Sequence, residues 1–268
     1  MTDTAYSMKN SGLVSAAHRG FRRVAQARPQ YYPYYRRNSR RLRLLRDKHN
    51  GQRCFIIGTG PSLNSTNLDL LKGEIVFGVN TLYRGLPQFG IGCSYYAVSD
   101  AVIWKTHHQG ISRLASTLFL SDEAGREYLS NRKYYRSLLD SEPYLVRNLG
   151  PMWTSGWNTK DLSRGAYLGY TVITDICLQA AYYMGFGQVY LLGCDSDYSG
   201  MHRFDGLETE AKGGGAIGEW QNVFASYEIC KKVFEEDGRE IINATAGGKL
   251  EVFRRMRLED VVRSTQDT

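Results

Sequence analysis

Short apolar runs, each ended by glycine or polar residues, recur along the chain from Cys54 onward. Continuous runs of about 4–8 apolar residues are typical of parallel strands that are covered on both faces. Between them lie longer stretches in which apolar residues recur with helical spacing. The pattern predicts six strands, at 54–57, 75–79, 95–99, 117–121, 189–193 and 240–243, and four helices, at 62–71, 101–107, 171–184 and 219–236.

This alternation predicts an α/β fold, namely a Rossmann-like parallel sheet with helices on both faces. A chain of 268 residues with 42% hydrophobic content is long enough to bury the core of one large domain of this kind. Residues 122–170 show no clear order of elements, and residues 200–218 are glycine-rich and polar. We interpret both segments as mobile cover over a site at the sheet edge.

The charge of the chain is concentrated at its N-terminus. Residues 1–53 hold thirteen Lys and Arg against two Asp, whereas the remainder holds 21 basic and 25 acidic residues. We therefore divide the chain into a basic amphipathic arm over 1–50, with helices within 11–27 and 36–48 separated by a break at 31–35, and a domain over 51–268. A nucleic-acid-binding core would carry its basic stripe on the folded surface, so no nucleic acid is expected as a partner.

Two interpretations of the arm remain open. It can lie on an anionic membrane surface, where each basic residue contributes about 1 kcal/mol and the tyrosines suit the headgroup layer. It can equally form a solvated helix that packs on the domain or on a partner subunit.

The cysteines and the hydropathy pattern bear on the compartment. The five cysteines are scattered within apolar segments without C-x-x-C spacing, which is typical of reduced core residues. The sequence contains neither an apolar run of 18 residues nor the apolar region of a secretory signal. We expect a cytoplasmic protein, peripheral on the inner face of the membrane if the arm binds lipid.

The first predicted strand runs into a glycine turn at Gly58-Thr59-Gly60-Pro61-Ser62. Glycines let the backbone turn sharply and approach a ligand, and proline suits the first position of a helix. The N–H groups of a first helical turn attract anions, so the turn is a candidate phosphate site. Its spacing matches neither G-x-G-x-x-G nor the P-loop, and a plain tight turn is the alternative.

Polar residues also follow the other predicted strands, and ligands bind at the carboxyl ends of strands in open parallel sheets. Asn80 and Asp100 follow the second and third strands, and Asn243 and Thr245 follow the last. Thr171 opens a later helix and offers a second phosphate site, with a helix cap as the alternative. The candidate nucleotide-binding residues are Gly58, Thr59, Gly60, Ser62, Asn80, Asp100 and Thr171.

The segment after the fifth predicted strand holds the catalytic candidates. His202 lies in a loop where a neutral imidazole can accept a proton from a hydroxyl group. Asp195 and Tyr198 lie in the same segment, and Asp195 with Asp197 could hold Mg²⁺. An exposed loop histidine and solvated turn carboxylates are the alternatives.

Four ordered motifs, at 55–63, 77–80, 189–195 and 242–250, resemble the 6-hydroxymethylpterin diphosphokinase-like family and, more distantly, the bacterial sialyltransferases of glycosyltransferase family 42. The resemblance spans about residues 50–260. In the sialyltransferases a similar turn holds the nucleotide of CMP-sialic acid, a following Asn binds it, and a histidine is the base. These roles would fall on Gly58, Gly60, Ser62, Asn80 and His202, although Thr59 replaces an Asn of that motif.

The diphosphokinases instead transfer diphosphate from ATP with Mg²⁺, and Asp195 would then be a metal ligand. The basic arm favours a glycosyltransferase that takes a nucleotide-sugar donor and a surface glycan or lipid-linked acceptor, since a soluble pterin needs no such arm. That reading implies no cofactor, whereas the diphosphokinase reading implies Mg²⁺. A non-catalytic nucleotide- or sugar-binding protein is the third alternative.

Overall fold

The structure is a computed structural model that describes residues 32–197, 203–207 and 220–263. The chain forms two compact units, Met1–Arg37 and Asn38–Thr268. Of the first unit, the structure describes only residues 32–37, which begin helix α1, Tyr32–Arg43. The helix predicted within 11–27 lies outside the described residues, as does most of the predicted cover at 200–218.

The second unit is built on a parallel sheet of seven strands. Two further short strands pair with each other in parallel. The strands of the described ranges are β1 Arg53–Ile57, β2 Val76–Val79, β3 Tyr95–Val98, β4 Thr117–Ser121, β5 Tyr144–Val146, β6 Asn148–Pro151, β7 Ala166–Leu168, β8 Gln188–Leu192 and β9 Glu240–Asn243. The order across the large sheet is β5-β4-β3-β2-β1-β8-β9.

The strand order reverses at β1. The chain builds the sheet outward from β1 to β5, and then returns to add β8 and β9 on the other side of β1. Ile57 at the end of β1 pairs with Gly78 of β2 and with Leu192 of β8. The carboxyl ends of β1 and β8 therefore form the topological switch point, where ligands bind in open α/β sheets.

Both faces of the sheet are buried, as the apolar runs predict. Alternate residues such as Ile56, Phe77 and Leu191 join one hydrophobic core that also contains residues from the helices after β7 and β8. The intervening residues point to the other face and are equally buried, with Phe55 and Tyr190 stacked at 5.1 Å. The predicted α/β architecture and its six strands are confirmed.

The helices depart more from the predictions. They are α1 Tyr32–Arg43, α2 Leu86–Phe89, α3 Ala101–Ile111, α4 Asp122–Ser130, α5 Arg132–Ser137, α6 Met152–Ser155, α7 Leu178–Tyr183, α8 Trp220–Glu236 and α9 Leu258–Arg263, with 3₁₀ turns at Pro61–Ser65, Leu68–Leu71, Leu82–Arg84 and Leu162–Arg164 and a π-helix at Ile173–Cys177. The helix predicted at 171–184 thus begins as a π-helix, and residues 122–170, predicted as mobile cover, contain helices and three strands.

The predicted helix 62–71 is wrong, because the structure has two 3₁₀ turns there. The hydroxyls of Ser65 and Thr66 donate back to the carbonyl oxygen of Ser62 at 3.0 and 2.8 Å. Such side-chain bonds to the backbone compete with continued α-helix. The chain therefore leaves the helical path after one short turn.

The basic helix α1 is part of the fold at its C-terminal half. The Asn38 side chain exchanges two hydrogen bonds with the backbone of Leu145 in β5. Leu42 and Leu45 lie in the hydrophobic core, and the amide of His49 donates to Met184 at 2.8 Å. Residues 32–35, predicted as a break, are helical.

Two neighbouring leucines test this packing. Leu42 is 2% exposed, whereas Leu44 is 79% exposed. Leu42→Ala should lower the free energy of unfolding by about 2–5 kcal/mol through lost burial and a cavity. Leu44→Ala should change it by less than about 0.5 kcal/mol. Urea unfolding of both variants measures the difference, and equal effects would contradict the packing of α1 on the sheet.

Candidate functional site

The glycine turn after β1 packs against the end of β8. The amide of Gly58 donates to Leu192 at 2.8 Å, and the amide of Gly60 donates to Gly193 at 2.9 Å. A Cβ added to Gly58 would lie 2.4 Å from the carbonyl oxygen of Gly193. Both glycines are therefore required by the close approach of two chain segments at the switch point.

The carboxylate of Asp195 accepts hydrogen bonds from this turn. It accepts from the amide of Ser62 at 3.2 Å and from the Ser62 hydroxyl at 2.8 Å. A Cβ added to Gly60 would lie 1.7 Å from Asp195 Oδ2. The structure thus brings Gly58, Gly60, Ser62 and Asp195 together, but the Ser62 donors that the sequence assigned to a phosphate are engaged by the protein's own carboxylate.

Residues 203–205 are bonded to the same turn and to the 3₁₀ turn that follows it. The amide of Phe204 donates to the carbonyl oxygen of Thr59 at 2.9 Å, and the Asn64 side chain donates to the Phe204 carbonyl at 2.9 Å. The Phe204 ring packs against Phe89 with centroids 5.4 Å apart. The sequence that directly follows His202 is thereby fixed beside the glycine turn, while His202 and Tyr198 themselves lie outside the described residues.

An ion-pair cluster anchors this docked segment. The carboxylate of Asp205 accepts from Arg203 at 2.9 Å and from Arg84 at 3.2 Å. Arg203 is almost fully buried, and a buried guanidinium needs such a partner. The anchoring role of Arg203 could not be read from the spacing of residues in the sequence.

Asn80 lies at the same sheet edge, directly after β2. Its backbone is left-handed with φ 48°, and its carbonyl oxygen accepts from the Tyr96 hydroxyl at 2.9 Å. The side-chain Oδ1 is buried and has no hydrogen-bond partner among the described residues. Because buried polar atoms are normally paired, this oxygen is a candidate acceptor for a ligand donor.

Two other predicted ligand residues, Asp100 and Thr171, accept hydrogen bonds from backbone amides at the starts of helices. Asp100 accepts from the amides of Val102 and Ile103 at 2.6 and 2.9 Å, which caps α3. The Thr171 hydroxyl accepts from the Thr174 amide at 3.2 Å at the start of the π-helix. These contacts satisfy the helix starts, so the two residues show no feature here that requires a ligand.

The strand end at β9 is likewise tied to its neighbours. Thr245 Oγ1 accepts from the Cys194 amide at 3.1 Å, and the Asn243 side chain donates to the Leu250 carbonyl at 2.8 Å. The first bond holds the loop after β9 against the loop after β8, and the second closes the loop after β9 on the end of its own strand.

A buried carboxyl that the sequence did not single out lies in the π-helix. Asp175 is 9% exposed, and its carboxylate accepts from the amide of Gly169. Burial, followed by the nearby Glu123, raises the pKa of Asp175 to about 7. Burial and the neighbouring Asp100 also raise the pKa of Glu123. A π-helix with a perturbed acid is a frequent functional feature, and its sequence signal is the lone Asp in an otherwise apolar run.

The predicted metal ligands have protein partners. Asp195 is bonded to Ser62, and Asp197 Oδ1 lies 2.9 Å from Lys249 Nζ. Within the described ranges, no group of three or more His, Cys, Asp or Glu residues is placed to hold a metal ion. These two carboxylates could still supply oxygen ligands to Mg²⁺ if it displaced their present partners.

A cavity of about 690 Å³ lies at the opposite edge of the sheet, at the amino ends of β1 and β8. Its charged groups are already paired, with Arg53 donating to both carboxylate oxygens of Glu74 and Arg254 to those of Glu240. The carboxyl edge therefore remains the better candidate, since ligands of open α/β sheets bind there.

The strand order and the glycine turn at the switch point define a Rossmann-like α/β protein. Residues 31–201 match the model of the 6-hydroxymethylpterin diphosphokinase MptE-like family, and the chain belongs to that family, as its motifs predict. The fold is similar to that in the structure of MAf glycosyltransferase from Magnetospirillum magneticum AMB-1, with a TM-score of 0.53 and 14% identity. The similarity covers 82% of this chain and 37% of that chain. A search of the curated proteins finds no match.

The contact between Gly60 and Asp195 can be tested by a double-mutant cycle. Gly60→Ala should cost about 1–3 kcal/mol of unfolding free energy, because the new Cβ meets the carboxylate and the Gly193 carbonyl. In an Asp195→Ala background the carboxylate clash disappears, so the two effects should be non-additive by at least about 0.5 kcal/mol. Gly92→Ala is the control, since its Cβ meets no atom within 4 Å. Additive effects would contradict the contact.

The raised pKa of Asp175 predicts a pH dependence of stability. The carboxyl binds a proton in the folded state up to about pH 7, against an ordinary value of 3.8, so its contribution is lost as pH rises between these values. Asp175→Asn keeps an acceptor for Gly169 without the charge. The stability of the variant relative to the wild type should therefore increase between about pH 4 and 7, and this difference should be constant above about pH 8. Urea unfolding across this range gives the result, and a constant difference would contradict the burial of an ionisable carboxyl.

Proposed function

We propose that this protein is a nucleotide-sugar-dependent glycosyltransferase of the sialyltransferase-like kind, with a surface glycan or its lipid-linked precursor as acceptor. Its family is named for a diphosphokinase, and its fold is similar to that of a glycosyltransferase. The nucleotide would lie at the switch point between β1 and β8, over the glycine turn and beside Asn80.

The single observation that carries this proposal is the Oδ1 of Asn80 at the carboxyl edge, which is unpaired among the described residues. An amide oxygen that is buried without a partner costs about 1–3 kcal/mol, which a ligand hydroxyl or amine can recover. A ribose hydroxyl and a base amine both supply such a donor. Asn80 is also the residue to which the motif resemblance assigns nucleotide binding.

The proposed chemistry places the base beside the docked segment. The acceptor hydroxyl attacks the anomeric carbon of the donor sugar while the bond from that carbon to the nucleotide phosphate breaks. His202 takes the hydroxyl proton. The bond from Phe204 to Thr59 supports this assignment, because it holds the residues after His202 against the turn.

A basic surface supports an acceptor on an anionic membrane. Arg40, Arg43 and Leu44 are exposed at the end of α1, whereas Leu42 is buried. Basic side chains beside an exposed leucine suit a lipid headgroup layer. No helix in the described part of the chain is long and apolar enough to cross a bilayer.

The family match favours a second candidate, a Mg²⁺-dependent diphosphokinase that transfers diphosphate from ATP to a pterin-like acceptor. In that case Asp195 and Asp197 would hold the metal ion, which would offset the charge of the transferred phosphates. The two candidates share the position of the nucleotide and differ in the need for a metal.

Nucleotide binding is tested by thermal stabilisation. CMP, UDP, GDP and ATP are screened, because a ligand that binds only the native state raises the melting temperature. Asn80→Gly keeps the left-handed backbone but removes the amide, so it should bind the stabilising nucleotide about tenfold more weakly. Asn67→Gly is the control at an exposed asparagine. Wild-type affinity in Asn80→Gly would place the nucleotide elsewhere.

The chemistry is tested with two variants and a chelator. A glycosyltransferase with His202 as base predicts that His202→Ala lowers turnover about 10²–10⁴-fold while donor binding persists. Turnover should also survive a chelator. The diphosphokinase predicts the reverse order, with Asp195→Asn and metal removal abolishing activity and His202→Ala having little effect. Binding without any transfer of sugar or diphosphate would support the non-catalytic alternative.

A further inference from the structure

The loop after β9 brings a lysine to the same edge. The amide of Lys249 donates to the carbonyl oxygen of Asp195 at 2.6 Å. Gly248 is left-handed with φ 76°, and a Cβ added to it would lie 2.6 Å from that same oxygen. The backbone of Lys249 is therefore held against the residue whose carboxylate lies on the glycine turn.

Arg255 restrains the loop after β9 through its guanidinium group. Its guanidinium donates to the carbonyl oxygens of Thr245, Gly247 and Gly248 at 3.2, 2.6 and 3.1 Å. A planar guanidinium that bonds several carbonyls at once restrains the loop more than single contacts do. Lys249 thus has a fixed backbone position.

The side chain of Lys249 can change partner at small cost. It is 61% exposed, and its Nζ lies 2.9 Å from Asp197 Oδ1. Ion pairs at exposed positions contribute little to stability, and a phosphate oxygen is an equally good acceptor. Replacing Asp197 by a ligand phosphate therefore loses little.

A phosphate at the glycine turn needs a cation nearby. Asp195 places a negative charge on the turn, and like charges that lie close together repel. Arg203, which precedes the docked Phe204, and Arg84 already pair with Asp205. Lys249 is an exposed cation whose backbone is held against Asp195 itself.

We propose that Lys249 binds the phosphate of the nucleotide donor, exchanging Asp197 for a phosphate oxygen when the donor binds. This inference rests on the proposed function, which places a nucleotide at this edge. Asp197 is then a competitor that holds the lysine in place before the donor arrives, and not a metal ligand.

The test compares each nucleotide with its parent nucleoside. Dissociation constants of CMP, UDP, GDP and ATP, and of the four nucleosides, are measured by calorimetry for the wild type, Lys249→Gln and Lys72→Gln. Lys72 is the matched control, because it is 64% exposed and its Nζ lies 2.7 Å from Asp69. In Lys249→Gln, the affinity for the nucleotide relative to its parent nucleoside should fall about tenfold, while nucleoside affinity and melting temperature stay unchanged. Lys72→Gln should behave as the wild type.

Asp197→Asn adds a test of opposite sign. Removing the competing carboxylate should tighten binding of the nucleotide. In a Lys249→Gln background, Asp197→Asn should leave nucleotide affinity unchanged. An unchanged phosphate preference in Lys249→Gln would overturn the role of Lys249 while leaving the proposed function intact. Weaker ATP binding in Asp197→Asn with Mg²⁺ present would also overturn it, since it would make Asp197 a metal ligand. A wild type that binds none of the nucleotides would overturn both proposals.

Discussion

The carboxylate of Asp195 joins the two chain segments that leave the sheet at its switch point. It accepts from the amide and hydroxyl of Ser62, while the backbone carbonyl of Asp195 accepts from Lys249. Asp195, which follows β8, thereby fixes both the turn after β1 and the loop after β9. The glycines at 58, 60 and 248 are required, because a side chain at any of them would collide with Gly193 or Asp195.

This arrangement changes what the glycine turn can do for a ligand. The turn already carries an anion, so a nucleotide phosphate must be met by donors and cations from other elements. In the proposed function, Asn80 after β2 and Lys249 after β9 would supply an amide and an ammonium group from the two sides of the turn. The donor would then be held by side chains from both halves of the sheet, as expected for a ligand at a topological switch point.

The strands could be predicted because both-face burial leaves a continuous apolar run in the sequence. The short strands β5, β6 and β7 could not, since they have only three or four residues each and β6 contains glycine and proline. The packing of α1 was hidden by its arginines, among which Leu42 and the following Leu45 form the buried side.

The candidate site shows the same limit. The glycine turn, Asn80 and Asp195 were recognisable because each closely follows an apolar run. The bond between Ser62 and Asp195 joins residues 133 positions apart, and no spacing in one sequence reveals such a pair. Lys249 and Asp175 carried only weak signals, two consecutive glycines in one case and a lone acid among apolar residues in the other.

Hydrogen exchange with and without the stabilising nucleotide, read at single amides of the full chain, tests the position of the ligand most directly. Binding at the carboxyl edge predicts slower exchange at Thr59, Asn80 and Lys249. It predicts no change at Gly51, Gly73 and Gln188, which line the cavity at the opposite edge. Slowing confined to those three residues would contradict a donor site at the switch point.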